Sequence, residues 1–251
     1  MPTFDSDGVR IAYEVVGAGP PIVLVHGFAS SWKRNWYEVG WFDRLVTGGR
    51  RVIALDCRGH GGSDKPHDPA AYRAAHMAGD VLRLLDHLKI ERTALMGYSM
   101  GARIGAALLV HHPERLEGVI LAGAGRGLIG ERRDAEAVAR VLEADDAAAI
   151  TDPVGKAFRQ FAEQGRNDLK ALAACMRGLR SAVDVAALAA VRTPVLIVVG
   201  ERDELVGDPQ ALADLIPGAQ LVIVPGRDHL STVGDKRYKE AVLRFLAAGR
   251  G

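Results

Sequence analysis

Six short apolar runs, at residues 22–25, 52–55, 93–96, 119–121, 195–199 and 221–224, punctuate the chain. They are rich in Val, Ile and Leu and do not alternate with polar residues, as expected of strands covered on both faces. Between them the apolar positions take up helical spacing. Met77, Val81, Leu84, Leu85 and Leu88 form one stripe, and Tyr238, Ala241, Val242, Phe245 and Leu246 form another. Alternating strands and helices predict an α/β fold: a parallel sheet with right-handed crossovers and helices on both faces.

One interval breaks this rhythm, because residues 122–194 contain no strand pattern. Ala135, Val138, Val141 and Leu142, then Leu169, Leu172, Met176 and Leu179, recur instead at helical spacing. We therefore expect one domain over residues 1–251 with a helical cap inserted at about 124–193. Gly123, Gly125, Gly127 and Gly130 predict a mobile lead-in to the insertion, and Pro194 marks its end.

Composition narrows the function classes. The 32 Lys and Arg nearly cancel the 31 Asp and Glu, leaving a formal charge of +1 without a basic block, so nucleic acid is not an expected partner. The first residues lack a secretory signal pattern and no stretch is apolar for long enough to span a bilayer; a cytoplasmic location away from membranes is the expectation. The only two cysteines, Cys57 and Cys175, have no Cys/His spacing of a metal site, and we expect buried thiols and no metal.

The chemistry concentrates in Gly97-Tyr98-Ser99-Met100-Gly101, between a strand run and a helix beginning near Met100. Gly-x-Ser-x-Gly in that setting is a nucleophile elbow, a strained turn that lifts the serine out while small neighbours let strand and helix approach. A serine hydroxyl needs a base to take its proton. His229, in the loop after the run 221–224, is placed to supply it, since parallel strands gather the loops at their carboxyl ends along one edge. The imidazole in turn needs a buried carboxylate to fix its tautomer. Asp203, directly after the run 195–199, fits better than Glu204, Asp208 or Asp228, and the chain order is then Ser, Asp, His. Donors for an oxyanion are expected from the backbone N–H groups of Met100, next to the serine, and of Phe28, in His26-Gly27-Phe28. His26 itself is read as an anchor of that loop. His60, His76, His87, His111 and His112 have no nucleophile beside them and are read as structural or surface residues, and Trp32, Trp36 and Trp41 chiefly as packing.

Together, His26-Gly27-Phe28, the segment 56–64, Gly97 to Gly101, Gly200 to Asp203 and Asp228-His229 resemble the α/β-hydrolase superfamily in its esterase, perhydrolase and carbon–carbon hydrolase branch. The resemblance spans nearly the whole chain and is weakest over 123–193. It implies an α/β-hydrolase fold with a mostly parallel eight-stranded sheet, no cofactor, and an acyl-enzyme on Ser99. It also implies that Asp56 and Arg58 shape a turn beside the site, and that the acid follows the later strand, since residues 123–130 hold no carboxylate. A serine at the elbow departs from haloalkane dehalogenases and epoxide hydrolases, whose elbows carry aspartate. The expected activity is hydrolysis of small to medium carboxylic esters, with a small-molecule ester or related acyl substrate as partner. Carbon–carbon bond hydrolysis or perhydrolysis by the same triad is the alternative, and a non-catalytic ligand-binding receptor or interaction module a second one. Gly125-Arg126-Gly127-Leu128-Ile129-Gly130 matches a dinucleotide-binding pattern, but no strand follows it at the required distance.

Overall fold

The computed structural model describes residues 1–130, 135–179 and 182–249. Its centre is an eight-stranded sheet of β1 (Thr3–Ser6), β2 (Val9–Val16), β3 (Pro21–Val25), β4 (Arg51–Leu55), β5 (Thr93–Tyr98), β6 (Leu116–Ala122), β7 (Val195–Gly200) and β8 (Gln220–Val224). The strands lie in the order β1-β2-β4-β3-β5-β6-β7-β8. β1 pairs with β2 and β2 with β4 antiparallel; every other pairing is parallel. Each of the six apolar runs lies within one of the parallel strands.

Alternation along β3 to β7 explains why these strands are apolar throughout, whereas the edge strand β8 leaves Ile223 exposed. Val23, Val25, Leu95, Leu121 and Ile197 join one core cluster, with Val81 and Leu84 of helix α2 (Ala74–His87) and Ile104 and Leu108 of α3 (Met100–His111). Their neighbours Ile22, Leu24, Met96, Ile120 and Val198 point the other way, onto Trp41 and Phe42 of α1 (Trp41–Thr47) and Val242 and Phe245 of α9 (Lys236–Ala248). Successive strand side chains face opposite sides, so a sheet sandwiched by helices has no solvent face to mark with polar residues.

Between β6 and β7 the described residues contain no strand and four helices, α4 (Ala135–Glu143), α5 (Pro153–Gln164), α6 (Leu169–Gly178) and α7 (Val185–Ala189). Asp152, Asp168 and Asp184 cap the last three, each accepting a hydrogen bond from a first-turn N–H. Val138, Leu142, Ala162, Leu172 and Met176 build a third apolar cluster that includes Ala29, tying the insertion to the loop after β3. Arg159 closes the carboxyl end of α4 by donating to the carbonyls of Val141, Leu142 and Ala144.

The glycine-rich lead-in is not the free hinge that its composition predicts. Arg126 N–H donates to Asp208 O at 2.8 Å and Gly127 N–H to Val206 O at 2.9 Å. A β-carbon on Gly125 would lie 2.8 Å from Gly207 O. These glycines permit close backbone packing against the loop after β7, and the segment is pinned there.

Candidate active site

β5 ends at Tyr98 and α3 begins at Met100, leaving Ser99 alone at the turn with φ 53° and ψ −105°. Such a backbone costs a non-glycine residue roughly 1–3 kcal/mol and persists only where its surroundings impose it. Here Ser99 N–H donates to Ala122 O at 2.8 Å. A β-carbon on Gly97 would come within 2.2 Å of Gly101 O, and one on Gly101 within 2.0 Å of Val25 O. The two glycines thus let β3, β5 and α3 crowd together, and the serine is what the turn leaves outward. The position is set by topology as well: the chain runs from β3 outward to β4 and then returns to β5 on the other side of β3. Loops leaving β3 and β5 therefore diverge around a switch point, where open α/β sheets form their crevices.

The loops after β7 and β8 are joined to each other before any side chain is considered. Glu201 N–H donates to Val224 O at 3.0 Å and Arg202 N–H to Arg227 O at 2.8 Å. Gly226 N–H donates to the Glu201 carboxylate at 2.7 Å. Gly200 has to be glycine for this, because a β-carbon there would sit 2.3 Å from Arg227 O. The result is that His229 Nδ1 and Asp203 Oδ2 lie 2.7 Å apart, with the Asp203 side chain wholly buried. With its proton on Nδ1 the imidazole donates to this oxygen, which leaves Nε2 as the ring's acceptor. Leu205 N–H donates to the other Asp203 oxygen at 3.1 Å. The Tyr98 hydroxyl, held protonated by burial, donates to His229 O. Gly123, at φ 58°, leaves room for the imidazole: a β-carbon there would be 3.1 Å from both His229 Cε1 and Tyr98 Cζ.

The loop after β3 is fixed by three buried side chains. His26 accepts from Cys57 N–H through Nε2 at 3.0 Å and donates from Nδ1 to Gly27 O at 2.7 Å, and burial lowers its pKa to about 4. Asn35 accepts from Gly27 N–H at 3.0 Å. Asp56 accepts from Trp32 N–H and Gly62 N–H, both at 2.8 Å, binding the loop after β3 to the one after β4. Arg58 makes a buried two-pronged pair with Asp80 at 2.6 and 2.8 Å. Asp56 and Arg58 thus do shape the turn.

Ser99, His229, Phe28 and Met100 all border one cavity of about 520 Å³, and Asp203 stands behind the imidazole. Apolar side chains from the insertion, Val154, Phe158, Phe161 and Leu179, supply much of the remaining wall. Two neighbouring carboxylates are occupied elsewhere: Asp208 caps α8 (Pro209–Leu215), and Asp228 accepts from Leu230 N–H, Ser231 N–H and the Ser231 hydroxyl. Trp36 and Trp41 are fully buried in the core and do not border the cavity. Cys57 and Cys175 are both buried. Among the described residues no group of three or more His, Cys, Asp or Glu could hold a metal, and no helix is long and apolar enough to cross a membrane. Among the cavity residues that escape sequence reasoning are Arg34 and Asn35, on the π-helical turn Lys33–Tyr37, and Arg103 on α3. Nothing in their local pattern marks them, because the wide turn that presents two consecutive side chains is a property of the folded loop.

This sheet, with its serine turn at the switch point, defines a class: the chain belongs to the α/β-hydrolase family, whose alpha/beta hydrolase fold profile matches residues 20–174. It is 30% identical to a provisionally named 2-succinyl-6-hydroxy-2,4-cyclohexadiene-1-carboxylate synthase of Bacillus subtilis, over 97% of each chain. It is 31% identical to 3-oxoadipate enol-lactonase 2 of Acinetobacter baylyi, over 92% of this chain and 90% of that one. The crystal structure of the enol-lactonase from Burkholderia xenovorans superposes with a TM-score of 0.84 at 26% identity, covering 98% of this chain and all of the other.

Proposed function

We propose that the protein is a serine hydrolase that cleaves small to medium carboxylic esters through an acyl-enzyme on Ser99. The observation that carries this reading is the His229–Asp203 hydrogen bond of 2.7 Å beside a cavity that Ser99 also borders. His229 Nε2 takes the Ser99 proton as Oγ attacks the ester carbonyl. The N–H groups of Phe28 and Met100 receive the oxyanion; Met100 opens α3, so its N–H has no acceptor within the helix. Collapse breaks the carbonyl–alkoxide bond, and the alkoxide leaves with the proton from His229. Water, deprotonated by the same imidazole, then adds to the acyl carbon and frees the acid and Ser99. Residues from about 124 to 193 act as a cap whose apolar side chains select the acyl and alcohol groups. The likeness to an enol-lactonase supports hydrolysis of this kind, since a lactone is a cyclic ester.

The test is a series of p-nitrophenyl esters from acetate to octanoate, run on the wild type and on Ser99→Ala. We expect turnover of the shorter esters and a loss of about a thousandfold or more in the variant. Retention of ester turnover in Ser99→Ala would remove the nucleophile. Failure with every ester, alongside hydrolysis of a vinylogous diketone, would move the reading to carbon–carbon cleavage.

A further inference from the structure

At the π-helical turn, two side chains that border the cavity each carry a buried donor without an acceptor among the described residues. Arg34 Nη1 and Asn35 Nδ2 are both buried and hydrogen-bond to nothing among the described residues. Leaving a buried donor unpaired is costly, more so for a charged one, so two in succession call for a missing acceptor. Trp36 Nε1 shares the lack of a partner but does not border the cavity. Asn35 is itself only 6% exposed, and its Oδ1 is spent on Gly27 N–H. Arg34 has no ion-pair partner among the described residues; its guanidinium carbon rests 5.1 Å from the centre of the Phe161 ring, which stations the charge against the insertion. Arg103, which donates to Gly127 O at 2.7 Å, adds a second positive charge to the lining. No Asp or Glu among the described residues borders this cavity.

We propose that Arg34 and Asn35 form an anion subsite that receives a carboxylate carried by the substrate at a distance from its ester group. The preferred substrates would then be esters or lactones bearing a free acid. This rests on the hydrolase reading for the identity of the reacting group, whereas the recognition of the carboxylate does not depend on turnover. A planar guanidinium beside an amide N–H suits the two oxygens of a carboxylate.

Binding to the Ser99→Ala protein, measured by titration calorimetry, separates the two. One pair of probes carries the acid on the acyl side, methyl hydrogen glutarate against methyl valerate. The other carries it on the alcohol side, 4-acetoxybutyrate against butyl acetate. We expect the acid of at least one pair to bind about tenfold more tightly than its neutral partner, and Arg34→Gln introduced beside Ser99→Ala to abolish the difference. Arg34→Lys keeps the charge without the fork; it should retain part of the preference, and it supplies the comparison should Arg34→Gln fold poorly. Equal affinities within both pairs, or a preference for the acid that survives Arg34→Gln, would overturn the subsite. A clear preference in binding with no ester hydrolysed by the wild type would leave the subsite standing and remove the hydrolase reading.

Discussion

Asp203 is the residue whose role is cleanest to separate from folding. Its carboxylate is buried, yet its two oxygens are committed to His229 Nδ1 and Leu205 N–H, so an amide of the same shape fits the same space. Asp203→Asn would offer Nδ1 a donor as readily as an acceptor and lose control of the tautomer. We expect turnover to fall by about ten-thousandfold with the melting temperature little changed; a variant keeping a tenth of the wild-type rate would place the acid elsewhere. The positions of Ser99 after β5, Asp203 after β7 and His229 after β8 were legible, because the catalytic roles proposed for them call for that order on those loops. Tyr98, Asn35 and Arg34 were not. Their parts depend on backbone carbonyls, turn geometry and cavity walls that have no counterpart in a linear pattern.

Elements are held to one another by a few buried polar pairs as well as by apolar packing. Arg58, in the loop after β4, grips Asp80 of α2 through two donors, donates to Ala71 O at 2.8 Å, and Ser6 of β1 completes the Asp80 oxygens at 2.5 Å. Removing one charge would leave the other buried and uncompensated. Arg58→Met should therefore destabilise the protein by about 3–5 kcal/mol in urea unfolding, and Asp80→Leu added to it should restore part of the loss. Additive losses would mean that the pair is not coupled. The six parallel strands were legible from their uninterrupted apolar runs, whereas β1 and β2 were not, since polar residues such as Asp5, Arg10 and Glu14 interrupt them at the edge of the sheet. Helices α4 and α6 show clear apolar stripes. α5 carries a stripe of its own, Val154, Ala157, Phe158 and Phe161, which faces the cavity, and Phe158 and Phe161 also pack against the third apolar cluster.

For the molecule as a whole, two histidines beside the site set an acid limit. Burial lowers the pKa of His26 to about 4, and burial together with the neighbouring His26 ring lowers that of His60 to about 3, from 6.5 in each case. Between 6.5 and 4 the unfolded chain binds protons that the folded protein refuses, so stability rises with pH across this window and is lost as the pH falls through it. The raised pKa of Asp56, caused by burial, acts in the opposite sense at the lower end. We expect the melting temperature to decline from pH 6.5 to 4.5, and the decline to be shallower in His60→Asn; an unchanged slope would show that His60 is not held neutral. His26 anchors the loop that carries Phe28, and the His60 ring meets the Phe28 ring edge-on at 5.8 Å, so this part of the site shares the acid limit of the fold. The proposed activity requires above all that His229 make Ser99 nucleophilic across the cavity. Incubation with a fluorophosphonate followed by intact-mass analysis and peptide mapping tests this directly: a single adduct on Ser99, lost in Ser99→Ala and strongly slowed in His229→Ala, is the predicted result. An unlabelled wild-type protein, or an adduct on any other residue, would contradict it.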